Sequence, residues 1–65
     1  MKLYTIDCPA CMVLEKKLNA KGIAFERIDA RISNPKNMST FPQLELDDGK
    51  ILNMGDATRW LKEQP

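Results

Sequence analysis

The sequence predicts one α/β domain over residues 1–65: a four-stranded mixed sheet made from a βαβ unit, a β-hairpin and a C-terminal helix. Three observations predict it. A β-favouring stretch, Lys2 to Ile6, runs straight into a helical pattern at Pro9. A second β-favouring stretch, Phe25 to Asp29, follows that helix at the spacing of a parallel crossover unit. Two short stretches flank Asp47-Asp48-Gly49, a hairpin signal.

Each element has a local cause. Leu3, Tyr4 and Ile6 carry the β preference of the first strand. Pro9 suits the first helical position, where a missing N–H costs nothing. Cys11, Leu14 and Leu18 fall on one stripe of a 3.6-residue period, with Glu15, Lys16, Lys17 and Asn19 mostly off it. Lys17 and Lys21 sit toward the negative end of the helix dipole. Gly22 is placed to end the helix in a left-handed cap. Strands joined through a helix should be parallel and the crossover right-handed.

The second half follows the same logic. Leu44 and Leu46 alternate with Gln43 and Glu45, which gives the third strand, Gln43 to Leu46, an apolar and a polar face. Ile51 to Met54 is the expected return strand, Gly55 its breaker and Asp56 the expected N-cap of the last helix. Ala57, Trp60 and Leu61 give that helix its apolar face. Asn34-Pro35 argues against a helix starting before Pro35, so Lys36 to Met38 has room for a single turn only. Trp60 reads as a packing anchor, and Met38 and Met54 as gap-fillers.

Composition excludes several functions. The net charge is +1, and no basic run interleaves with aromatics, so neither nucleic acid nor a membrane surface is an expected partner. The apolar stretch at the start is too short for a signal peptide and is stopped by Asp7. The expectation is a monomer in the cytoplasm. The two cysteines are three apart, unlike the dispersed set of a secreted disulfide scaffold.

Cys8-Pro9-Ala10-Cys11 is therefore the candidate catalytic feature. Residues three apart at a helix start share a side, so their sulfurs can bond. The first thiol meets unpaired N–H groups and the positive dipole end, which favour an anion. Cys8 is thus expected to attack a substrate disulfide and Cys11, a turn inward, to resolve the mixed disulfide. Asp7 beside Cys8 is expected to soften that activation. A zinc site needs two more ligands; without histidine, that means a symmetric dimer. A purely structural disulfide closing so short a loop would stabilise little. A binding module whose thiols are vestigial or regulatory is the alternative from another class.

Together these residues resemble the glutaredoxin family of the thioredoxin fold. The matches are Tyr4-Thr5-Ile6-Asp7, the CPAC motif, Thr40-Phe41-Pro42-Gln43-Leu44 and Gly55-Asp56. The resemblance spans nearly the whole chain and is similar to a minimal member with the second helix truncated. It implies a redox-active disulfide and oxidoreductase activity in electron transport, with a cis Pro42. Phe41, which stands where valine is usual, would offer its backbone to an extended substrate. The resemblance also implies a substrate site lined by Pro9, Thr40, Phe41, Pro42, Gly55 and Asp56, with no bound cofactor and no metal. Electrons would come from glutathione or from a thioredoxin-reductase-type flavoenzyme. The latter feeds the NrdH-type redoxins that serve ribonucleotide reductase, and Asp7 and the Phe25 to Asp29 stretch look similar to those. Thr5 stands where glutaredoxins carry a basic residue that grips glutathione; Arg31 or Lys36 would have to substitute. The expected partner is a disulfide-bearing protein or glutathione itself.

Overall fold

The computed structural model describes all residues, 1–65. Strands β1 (Lys2–Thr5), β2 (Glu26–Asp29), β3 (Gln43–Glu45) and β4 (Ile51–Leu52) form one sheet in the order β2-β1-β3-β4. Helix α1 (Pro9–Ala20) links β1 to β2, and helix α2 (Met54–Lys62) follows β4. β1 and β2 are parallel, and β3 runs antiparallel to both β1 and β4. The expected α/β class and mixed four-stranded sheet are what the chain adopts.

The βαβ unit forms for the reasons its residues give. Cys11, Leu14 and Leu18 are all fully buried, so the predicted stripe is the packing face of α1. Gly22 takes φ 68° just beyond the helix, a conformation that costs an L side chain and not glycine. Its N–H donates to the Asn19 carbonyl and closes the last turn. Gly49 takes φ 90° in the hairpin between β3 and β4.

The core lies on one face of the sheet. Leu3, Leu44 and Leu52 meet Leu14 and Leu18 of α1 and Ala57 and Leu61 of α2. Trp60 is half-buried against this cluster, as an anchor should be. The opposite face has no helix, yet it is not bare. Tyr4 is 1% exposed there, and its hydroxyl donates to Glu45 Oε1 at 3.1 Å. Lys36 reaches the same Glu45 oxygen at 3.6 Å, which brings the β2–β3 connection over this face. Gln43 and Glu45 are accordingly half-buried and not the open polar face that simple alternation suggests.

That connection turns at Pro35–Lys36, a residue earlier than the expected Lys36 to Met38, and also at Ala30–Ile32 directly after β2. It is tied by its own side chain: Asn34 Nδ2 donates to the Met38 carbonyl at 2.7 Å, and the Met38 N–H donates to Asn34 Oδ1 at 2.9 Å. A short polar clasp thus replaces a covering helix.

The expected start of α2 is corrected. β4 stops at Leu52, and the helix begins at Met54. Asn53 is the N-cap, its Oδ1 accepting the Asp56 N–H at 2.8 Å. Asp56 sits inside the first turn, where its charge favours the helix dipole and pairs with Arg59. Both Asn and Asp cap well, so the choice fell to register: Met54 must be helical to pack against the core. No helix is long and apolar enough to cross a membrane.

A one-sided core leaves little redundancy. Leu14→Ala should cost about 2–5 kcal/mol, against the roughly 3–5 kcal/mol that a core this small supplies. Urea titration should find that variant largely unfolded in buffer. Ile32→Ala, at a residue 87% exposed, should stay within about 0.5 kcal/mol of the parent.

Candidate active site

Strand direction gathers the candidate residues. β1, β2 and β4 all run one way, so their carboxyl ends share one end of the sheet, together with the amino end of β3. Cys8 follows β1 at that end, Arg31 follows β2, and Asn53-Met54-Gly55 follow β4. Tyr4 pairs with Gln43; one step further along the same register sets Pro42 across from Thr5. Pro42 is fully buried, and the Phe41–Pro42 bond is cis, as the family resemblance implied. Thr40 is held beside them by Gln43 Nε2, which donates to its carbonyl at 3.0 Å and its hydroxyl at 2.7 Å.

Cys8 is itself the N-cap of α1. Its extended backbone (φ −73°, ψ 164°) ends the preceding turn, and its sulfur accepts the Cys11 N–H at 3.2 Å. Ser, Thr or Asp would normally supply oxygen here. A sulfur in that place meets the unpaired N–H groups and positive dipole end of the first turn. Pro9 occupies N1, where it removes a donor that has no helical partner. The Cys8 and Cys11 sulfurs lie 2.6 Å apart, both as free thiols. Cys8 is partly exposed, whereas Cys11 is 0% exposed.

Cys11 carries the acidified thiol of the pair. Burial acts to push it up, but hydrogen bonds from Cys8, from Thr5 and from the backbone of Ile6 and Cys8 outweigh this and hold it below its ordinary value. With sulfurs this close, the first proton lost belongs to the pair.

Thr5 is the residue that motif reading underrates. It is 0% exposed, its hydroxyl oxygen accepts the Asp7 N–H at 3.1 Å, and its side chain helps to lower the Cys11 thiol. The signal was present in the strand period: Thr5 shares a face with Leu3, so it must look toward α1.

Asp7 differs from expectation as well. It adopts φ 59° and is not a free carboxylate, since it pairs with Arg27 and with Arg31 Nη2, the latter at 2.7 Å. Arg31 also hydrogen-bonds Asp29, chiefly through its side chain, and holds that carboxyl down to about 2. Arg31 and Lys36 are thus both engaged within the chain, Lys36 with Glu45. Gly55 lies in the first turn of α2 at the cysteine end. The Asp56 carboxylate pairs with Arg59 and borders a cleft with Lys50, Ile51 and Trp60 that contains neither cysteine. No three His, Cys, Asp or Glu side chains group as metal ligands. Comparison with protein-family models, curated proteins and solved structures finds no match.

The Thr5 contact has a measurable consequence. Thr5→Val keeps the shape but removes a hydrogen bond that favours the Cys11 thiolate. The thiol pair should therefore ionise at higher pH, read by the ultraviolet absorbance of the thiolate. An unchanged titration curve would show that the hydroxyl does not act on the sulfurs.

Proposed function

We propose that this chain is a dithiol–disulfide oxidoreductase with a minimal glutaredoxin-like version of the thioredoxin fold, acting in the reducing cytoplasm. The observation that carries the reading is the sulfur pair: one thiol capping a helix and partly exposed, its partner fully buried and 2.6 Å away.

The cycle balances as follows. The Cys8 thiolate attacks one sulfur of a substrate disulfide; the other substrate sulfur leaves as thiolate and takes a proton. Cys8 is then joined to the substrate. Cys11 gives up its proton and attacks the Cys8 sulfur, and the second substrate sulfur leaves as thiol. The substrate has gained two electrons and the chain holds a Cys8–Cys11 disulfide. An external dithiol or thiol donor reverses it. Thr40, Phe41 and Pro42, at the same end of the sheet, are the proposed seat of the substrate backbone.

The charges favour a flavoenzyme of the thioredoxin-reductase type over glutathione as donor. Glutathione brings two carboxylates. Thr5 offers no charge to them, Arg31 and Lys36 serve Asp29, Asp7 and Glu45, and Asp56 is matched with Arg59. A protein disulfide, such as the one ribonucleotide reductase must have reduced in each turnover of NrdH-type redoxins, is the proposed acceptor.

Two assays test this. Insulin reduction with dithiothreitol should be lost in Cys8→Ser by at least about 100-fold, while Cys11→Ser should accumulate a mixed disulfide visible by intact mass. Wild-type protein without activity over background would leave only the binding-module reading. In coupled assays, NADPH consumption should appear with thioredoxin reductase and be at least about tenfold lower with glutathione and glutathione reductase. The reverse ratio would move the chain to the glutathione branch.

A further inference from the structure

Arg27 stands where an apolar residue is expected. In the β1–β2 register it pairs with Leu3, so it lies on the sheet face that carries the core. Its side chain is only 38% exposed and reaches two carboxylates, Glu15 of α1 at 3.5 Å and Asp7. Arg31, just beyond β2, grips the same Asp7 and also Asp29, each at 2.7 Å. The five side chains form an alternating series, Glu15–Arg27–Asp7–Arg31–Asp29, with Asp7 at its centre. Asp7 alone receives both arginines, and it immediately precedes Cys8.

We propose that Arg27 and Arg31 are positioning residues that clamp the Asp7 carboxylate, so that the acid beside Cys8 does not suppress ionisation of the attacking sulfur. This rests on the reading of Cys8 as the nucleophile. A bare carboxylate next to a thiol disfavours the thiolate, and an arginine bound to that carboxylate cancels most of its field. The clamp also fixes the turn itself. Asp7 is in the left-handed region at φ 59°, and two arginines from β2 and its following turn hold it there while Thr5 accepts its N–H. The charged groups paired around the turn are Glu15 from α1, Arg27 and Asp29 from β2, and Arg31. The polar neighbours of the sulfurs are Thr5 and the backbone of Ile6 and Cys8.

Asn tolerates the left-handed region as Asp does. Asp7→Asn therefore removes the charge and keeps the turn. Four reduced proteins form the test: wild type, D7N, R27Q/R31Q and the triple variant. Each is alkylated with iodoacetamide between about pH 5 and 10, and Cys8 modification is followed by peptide mass. The double variant should modify Cys8 about threefold to tenfold more slowly at neutral pH, with its profile moved upward. D7N in the wild-type background leaves both arginines unopposed and should speed the modification, not slow it. D7N added to the double variant should recover most of the loss.

A purely structural role for the arginines would not be reversed by Asp7→Asn. No slowing in R27Q/R31Q, or no recovery when D7N is added to it, overturns the clamp. Far-UV circular dichroism accompanies each variant. If the double variant unfolds, R27Q and R31Q singly carry the same cycle, with about half the slowing expected from each. The readout needs no substrate. A protein that shows this cycle but reduces no disulfide sinks the oxidoreductase reading and keeps the clamp; an active protein without the cycle does the opposite.

Discussion

One hydrogen bond organises the cysteine end of the molecule: the Cys11 N–H donating to the Cys8 sulfur across the first turn of α1. It sets Cys8 as the cap, and the cap sets everything next to it. The chain must leave β1, turn through Asp7 at φ 59° and present Cys8 in extended conformation before Pro9 can begin the helix. Once Cys8 caps, helical geometry carries Cys11 back over the same turn and under the sheet end. Sulfur–sulfur proximity is a result of capping and not a separate design.

The rest of the fold serves that turn with little material. Only one face of the sheet holds a core, and every buried leucine belongs to it. α1 is pinned by Leu14 and Leu18 on the stripe that also buries Cys11, so the inner cysteine is a core residue. The other face is served by the Asn34–Met38 clasp and by Tyr4, Lys36 and Glu45. Polar contacts can hold a connection where there is too little chain for a helix, because the strands are already fixed from the opposite side.

Much of this was legible in the residues. The 3.6-period stripe, the Gly22 stop and the Asp47-Asp48-Gly49 turn each state a local requirement that no tertiary contact opposes. What escaped was decided across the chain. Asp56 and Asn53 are both good caps, and with Asn53 as cap the helix takes in Met54, which packs partly buried against the core. Gln43 and Glu45 alternate as an exposed face would, and the folding-back of Lys36 half-buries Glu45. Asp7 reads as a liability beside Cys8 until β2 is aligned with β1 and Arg27 and Arg31 come round to it. Motif reading sees neighbours in sequence, and charge pairing across parallel strands is outside its reach.

The small size of the domain bears on the chemistry as well. A chain with so thin a core would gain most from a cross-link closing a long loop. The Cys8–Cys11 pair closes about the shortest useful loop, which removes little entropy from the unfolded chain. Making or breaking that bond therefore changes the stability of the fold by little. Cys11 is buried on the helix that Leu14 and Leu18 hold against the sheet, and that packing does not draw on a bond to Cys8. A pair that contributes little as a staple leaves the scaffold independent of whether that bond is made. The same reasoning explains why the polar neighbours matter. With stability nearly indifferent to the redox state, the balance between thiol, thiolate and disulfide falls to the groups that touch the sulfurs: the Cys11 N–H, the Thr5 side chain and the backbone of the turn.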